Sequence, residues 1–109
     1  MALCDFDTPT TVFLGYGNFF PVQADYGLVE LESVTKVEFC IAGITVDSDD
    51  DPAHVWWDAD AQQAVIRPGL VTGLTVGEAT GALIVYDGDH TDGQVVAYNM
   101  PFNVIEVCS

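Results

Sequence analysis

The stretch LESVTKVEFCIAGITVDS, residues 31–48, decides how this chain is read. Val37, Phe39 and Ile41 fall on alternate positions, Gly43 interrupts them, and Ile44 and Val46 resume the same spacing. A period of two on both sides of a glycine describes two extended segments joined by a bend, not a helix. The pair is therefore placed at the centre of a β-sandwich.

Working outward, residues 11–14 form the first candidate strand, ended by the turn at Gly15 and Gly17. Residues 19–25 put Phe20, Val22 and Ala24 on one face, and Pro21 there demands an edge position or a bulge because it has no N–H to donate. A short extended piece follows over 28–31. Beyond the central pair, DSDDDPAH (47–54) is an exposed loop. Strands are expected at 55–58 and 64–67, the latter ended by Pro68-Gly69, then an irregular stretch over 70–74 and a turn over 75–78. GALIVYD (81–87) is a nearly continuous apolar run of strand length, suited to the middle of a sheet. A hairpin loop over 87–93 leads to strands at 94–98 and 102–107, on either side of Asn99-Met100-Pro101. No helical period persists, and Gly or Pro recurs about every eight to twelve residues, the spacing of an all-β sandwich or barrel.

With 109 residues, 50% of them hydrophobic, the chain is one domain with enough apolar material for its own core. Residues 1–10 read as a lead-in or arm and 11–109 as the domain. Seventeen acids against two bases give a net charge of −15. Lys36 and Arg67 are too few to displace the counterions of a phosphate backbone, so nucleic acid is excluded as a partner, and an anionic membrane surface with it. No apolar run reaches the roughly 18 residues of a membrane helix, and the first residues lack the pattern of a signal peptide. The product is expected to be made and kept in the cytoplasm unless it leaves as part of a larger particle. Cys40 reads as an inert strand residue, while a bridge between Cys4 and Cys108 is left open.

No constellation names a reaction. Ser33, Ser48 and Ser109 have no nucleophile-elbow context, and only His54 and His90 could serve as bases. Seventeen acids always contain some pair at glycosidase spacing, so carboxylate pairs carry no signal. Asp47, Asp49, Asp51 and Asp58 have the alternate-oxygen spacing of a calcium loop, against which Pro52 stands where such a loop needs glycine. Histidine 90, in DGDHTDG, has carboxylates near it but no zinc-type partner spacing. The expectation is no enzyme and no cofactor. Trp56 and Trp57, being adjacent on a strand, point to opposite faces. One is expected in the core and the other as a contact residue, unless loops cover both, and Phe19-Phe20 pose the same alternative.

The succession VFLGYGN (12–18), FPVQADYG (20–27), LESVTKVEFCIAG (31–43), TVDSD (45–49), WWD (56–58), GLTVG (73–77) and ALIVYDGDHTDGQVVA (82–97) resembles small immunoglobulin-like proteins and modules encoded in tailed-phage structural gene clusters. Its layout is similar to the N-terminal domain of phage baseplate upper proteins, most of all in LESVTKVEF and LIVYD, without the long fibrous continuation of those proteins. The resemblance implies an immunoglobulin-like antiparallel sandwich of about seven strands. It also implies a virion location, and partners among other virion proteins of the tail, fibre, baseplate or capsid. A homo-oligomer is compatible with that setting, a trimer suiting a fibre. Head decoration is the alternative within the class, and a carbohydrate- or cell-surface-binding module, with a Trp stacked on a sugar ring, the alternative outside it.

Overall fold

The computed structural model of the chain describes residues 9–22, 34–61, 63–88 and 90–107. Among them eight strands form: β1 (Thr10–Phe13), β2 (Phe20–Val22), β3 (Val34–Ile41), β4 (Ile44–Asp47), β5 (Val55–Asp58), β6 (Gln63–Ile66), β7 (Gly77–Asp87) and β8 (Gln94–Ile105). They make a five-stranded sheet in the order β1-β8-β7-β3-β4 and a three-stranded sheet in the order β2-β6-β5. All pairings are antiparallel except that of β1 with β8, which is parallel, so the larger sheet is mixed. The fold is all-β, with a core made by two facing sheets.

The central pair forms as its periodicity requires. Ile41 faces Ile44 across the two-residue loop Ala42-Gly43, and both loop residues have positive φ, 52° and 79°. That backbone matches the right-handed twist of the two strands, which is why two-residue hairpins use it. Val37, Phe39 and Ile41 are completely buried, and Val46 continues their face. Each aliphatic side chain so buried contributes about 1.5–3 kcal/mol.

Across the core, Val22, Val55, Ala64 and Ile66 of the smaller sheet meet Leu83, Val85, Val96 and Val104 of the larger one. Phe39 and Phe102 stand edge to face, centroids 5.9 Å apart at 77°. Gly81 lies between them on β7. A Cβ there would sit 2.8 Å from Phe102 Cε2, 3.0 Å from the Cys40 carbonyl oxygen and 3.1 Å from Phe39 Cε1, so the two rings occupy the space a side chain would need.

Pro21 is exposed on β2, an edge strand among the described residues, a place that suits its missing N–H. The apolar run 81–87 lies in β7, the middle strand of its sheet. Three expectations are corrected. Residues 94–98 and 102–107 are not two strands but parts of one, β8, which continues through Asn99-Met100-Pro101. Leu83 faces Ala97 and Gly81 faces Met100, so Tyr98 and Asn99 together oppose Ala82. Asn99 absorbs the extra residue in a left-handed conformation, φ 53°, and the strand bulges instead of ending. Second, β7 begins at Gly77, inside the stretch read as a turn. Third, the sandwich is not wholly antiparallel as expected, because β1 runs parallel to β8, while the eight strands among the described residues are close to the expected seven. The expectations for Ala24, for residues 28–31, for most of the lead-in and for a Cys4–Cys108 bridge lie outside the described residues.

Candidate docking surface

From Gly81 to Tyr86 strand β7 is apolar on both of its faces, yet among the described residues its sheet is covered on only one. Gly81, Leu83, Val85 and Asp87 point into the sandwich and are buried, while Ala82, Ile84 and Tyr86 alternate with them on the outer face and stay half-buried. Next to them on β8, Val95 is 53% and Tyr98 43% exposed. Cross-strand register extends the strip: Ile84 faces both Val95 and Glu38, and Glu38 faces Asp47. Cys40 lies beside Ala82 and is a free, half-buried thiol on that same outer face. The outer surface is thus apolar along β7 and β8 and carboxylate-bearing along β3 and β4. A strand with apolar side chains on both faces reads as a continuous apolar run. The run at 82–86 is therefore the sequence signal for these outward residues as well as for the strand's central place.

One corner of this face concentrates ionisable groups. Lys36 Nζ lies 4.3 Å from the centroid of the Tyr86 ring, and the Tyr86 hydroxyl donates to Glu38 Oε1 at 3.3 Å. Loss of hydration first, and the Glu38 carboxylate second, push the Tyr86 phenol above its ordinary 10.0. The chain's other cation behaves alike: the Arg67 guanidinium sits 4.9 Å from the centroid of the Trp56 ring. Among the described residues neither base forms an ion pair, so both are engaged by aromatic faces and the acid excess goes uncompensated.

Three aspartates share one local role. Asp47, Asp58 and Asp87 each end a strand, and each turns a carboxylate oxygen back onto the following loop. Asp47 Oδ1 accepts from the N–H of Asp49 and Asp50 (2.9 and 2.8 Å), and Asp58 Oδ1 from Asp60 and Ala61 (3.1 and 3.3 Å). Asp87 Oδ1 takes the His90 N–H at 2.7 Å and lies 2.8 Å from His90 Nδ1. Those of Asp47 and Asp58 are Asx turns, and in all three the side chain stands in for a backbone acceptor. The calcium candidates Asp47, Asp49, Asp51 and Asp58 are accordingly not gathered, and among the described residues no group of three His, Cys, Asp or Glu could hold a metal ion. The Ser48 hydroxyl is tied to structure as well, accepting the Val37 N–H at 3.0 Å.

The tryptophans point to opposite faces, and the core-side place expected for one of them falls to Trp57, which is half-buried rather than fully enclosed. Trp57 packs partly buried against the core, while Trp56 lies on the outer side of the smaller sheet with Arg67 over it. Among the described residues β5 is an edge strand of its sheet. Phe20 packs against the core and Phe19 is 61% exposed. No helix among the described residues is long and apolar enough to cross a membrane. No protein-family model matches the chain, and neither a curated protein nor a solved structure matches it.

Proposed function

We propose that this chain is a non-enzymatic immunoglobulin-like module of a tailed-phage virion, docking on the tail, fibre or baseplate through the outer face of its larger sheet. The observation that carries the docking reading is the double-sided apolar character of β7 in a sheet that the described residues cover on one side, with Val95 and Tyr98 exposed beside it. Exposed apolar area rimmed by charge is what protein interfaces use. The immunoglobulin-like reading draws support from strand order. Lettered along the chain, β8-β7-β3-β4 stands as G-F-C-C′ and β2-β6-β5 as B-E-D, the two-sheet division of immunoglobulin domains with an added C′ strand. Phe39 on β3 and Phe102 on β8, stacked edge to face, both belong to the larger sheet and fill its side of the core. The phage setting rests on the sequence resemblance.

Head decoration is the second reading, favoured by the uncompensated acids, which would suit a basic capsid lattice. Mass spectrometry of purified particles tests both, and absence of the chain from them removes the virion reading altogether. Co-sedimentation of Tyr98→Ser and Val95→Ser variants with particles tests the face: retention at the parental level refutes it.

A further inference from the structure

The larger sheet is stepped. β3 pairs with β7 only as far as Gly81, opposite Ile41, whereas β7 runs four residues further back, to Gly77. At the step the Ala42 N–H donates to the Thr80 carbonyl at 3.1 Å, so the β3–β4 turn stands as a wall beside the exposed end of β7. Pro9, just before β1, borders the other side. Between them a dish of about 800 Å³ opens on the outer face. Its floor holds a row of polar side chains in register across three strands: Glu78 faces Asn103, and Asn103 faces Thr11. Thr80 and Pro101 form the next pair.

The chemistry of that floor selects its occupant. A carboxylate, an amide oxygen and two hydroxyls offer acceptors, and no lining residue is cationic. An anion is repelled by Glu78 and by the net charge of −15. A sugar would find no stacking platform, because the one aromatic ring in the lining, Phe102, is only 4% exposed. A second copy of the chain has no free cation to offer among its described residues, since Lys36 and Arg67 lie over their own rings. What fits is a long side chain with an apolar stem and a donor-rich planar head.

We propose that the dish receives an arginine side chain from the docking partner, its guanidinium against Glu78 and Asn103 and its methylenes along Pro9 and Pro101. This rests on the docking reading and names the partner's chemistry: a basic surface with an anchoring arginine, the residue type enriched at interface hot spots.

The test is an NMR titration of the labelled protein at physiological ionic strength with N-acetylarginine amide, and with the neutral isostere N-acetylcitrulline amide. Shifts are expected at the amides of Thr11, Ala79, Thr80 and Asn103. Affinity should fall by about fivefold or more in Glu78→Gln and with the citrulline probe, as the loss of a charge-assisted hydrogen bond requires, and stay unchanged in Asp49→Asn. Glu78 is exposed, so the substitution leaves the core intact. Shifts spread evenly over the acidic loops, indifference to Glu78→Gln, or equal binding of citrulline overturns the proposal. Particle co-sedimentation separates the two readings. If Tyr98→Ser loses attachment while the dish fails its titration, only the arginine site falls, and if Tyr98→Ser also attaches normally, the docking face falls with it.

Discussion

Replacing Gly81 with alanine puts one methyl group where the Phe39 and Phe102 rings already are. Two effects oppose each other. Alanine narrows the unfolded ensemble, which favours the folded state by about 0.4–1 kcal/mol where the backbone accepts it, and Gly81 does not have a positive φ. Against that stands contact: Phe102 Cε2 at 2.8 Å and Phe39 Cε1 at 3.1 Å could swing away, but the Cys40 carbonyl at 3.0 Å belongs to a strand held by β4 and β7 and has little freedom. Overpacking a filled core costs typically 1–3 kcal/mol, so the clash wins and the net loss is about 1–2 kcal/mol. For a domain near this size each kcal/mol moves Tm by roughly 4–8 °C, so a fall of about 5–15 °C is expected in a thermal melt. Phe102→Leu should cost less in the Gly81→Ala background than alone, with a coupling of at least about 0.5 kcal/mol. A melt within a degree or two of the parent, or strictly additive losses, would show that the two rings are not packed against Gly81 and would refute the account of the core.

Three further outcomes are expected. Ala42 holds a left-handed backbone that costs a non-glycine residue about 1–2 kcal/mol, so Ala42→Asn, which tolerates it, should raise the urea midpoint by about 0.5–1 kcal/mol worth of stability, and a lowered midpoint would contradict the turn geometry. Trp57→Ala, which empties a place against the core, should cost about 2–4 kcal/mol in the same assay, and Trp56→Ala about 1 kcal/mol, mainly its contact with Arg67; a reversed order would mean the faces are misassigned. The Tyr86 phenol is raised in the folded chain, so the stabilisation linked to its proton is complete below the ordinary value of 10.0 and is lost as pH climbs through the higher folded value. Phenolate absorbance should therefore show a late-titrating component that Tyr86→Phe removes and Glu38→Gln shifts toward lower pH, and its survival in Tyr86→Phe would assign it elsewhere.

What was legible in the sequence was what depends on neighbours in the chain. The alternation of Val37, Phe39 and Ile41 and the break at Gly43 gave the hairpin, and Pro21 gave an edge because its chemistry allows little else. The continuity of β8 was hidden because Asn99-Met100-Pro101 has the composition of a breaker. Only the strand beside it shows that Asn99 bulges without leaving the sheet. The Asp47, Asp49, Asp51 and Asp58 spacing read as a ligand set, whereas Asp47 and Asp58 cap their own turns, a use that spacing alone does not distinguish. The dish had no local signature at all. It arises from the offset between β3 and β7 and from register that brings Thr11 beside Asn103 across most of the chain.

The parallel pairing of β1 with β8 joins the first and last of the described strands along Thr10–Phe13 and Phe102–Ile105. A pull on the two ends of the chain would draw these strands in opposite directions along their common axis, loading their hydrogen bonds together instead of opening them one at a time. Resistance to such tension is a matter of rupture rate, not of equilibrium stability. A module held this way can serve as a stiff link in a structure that transmits force.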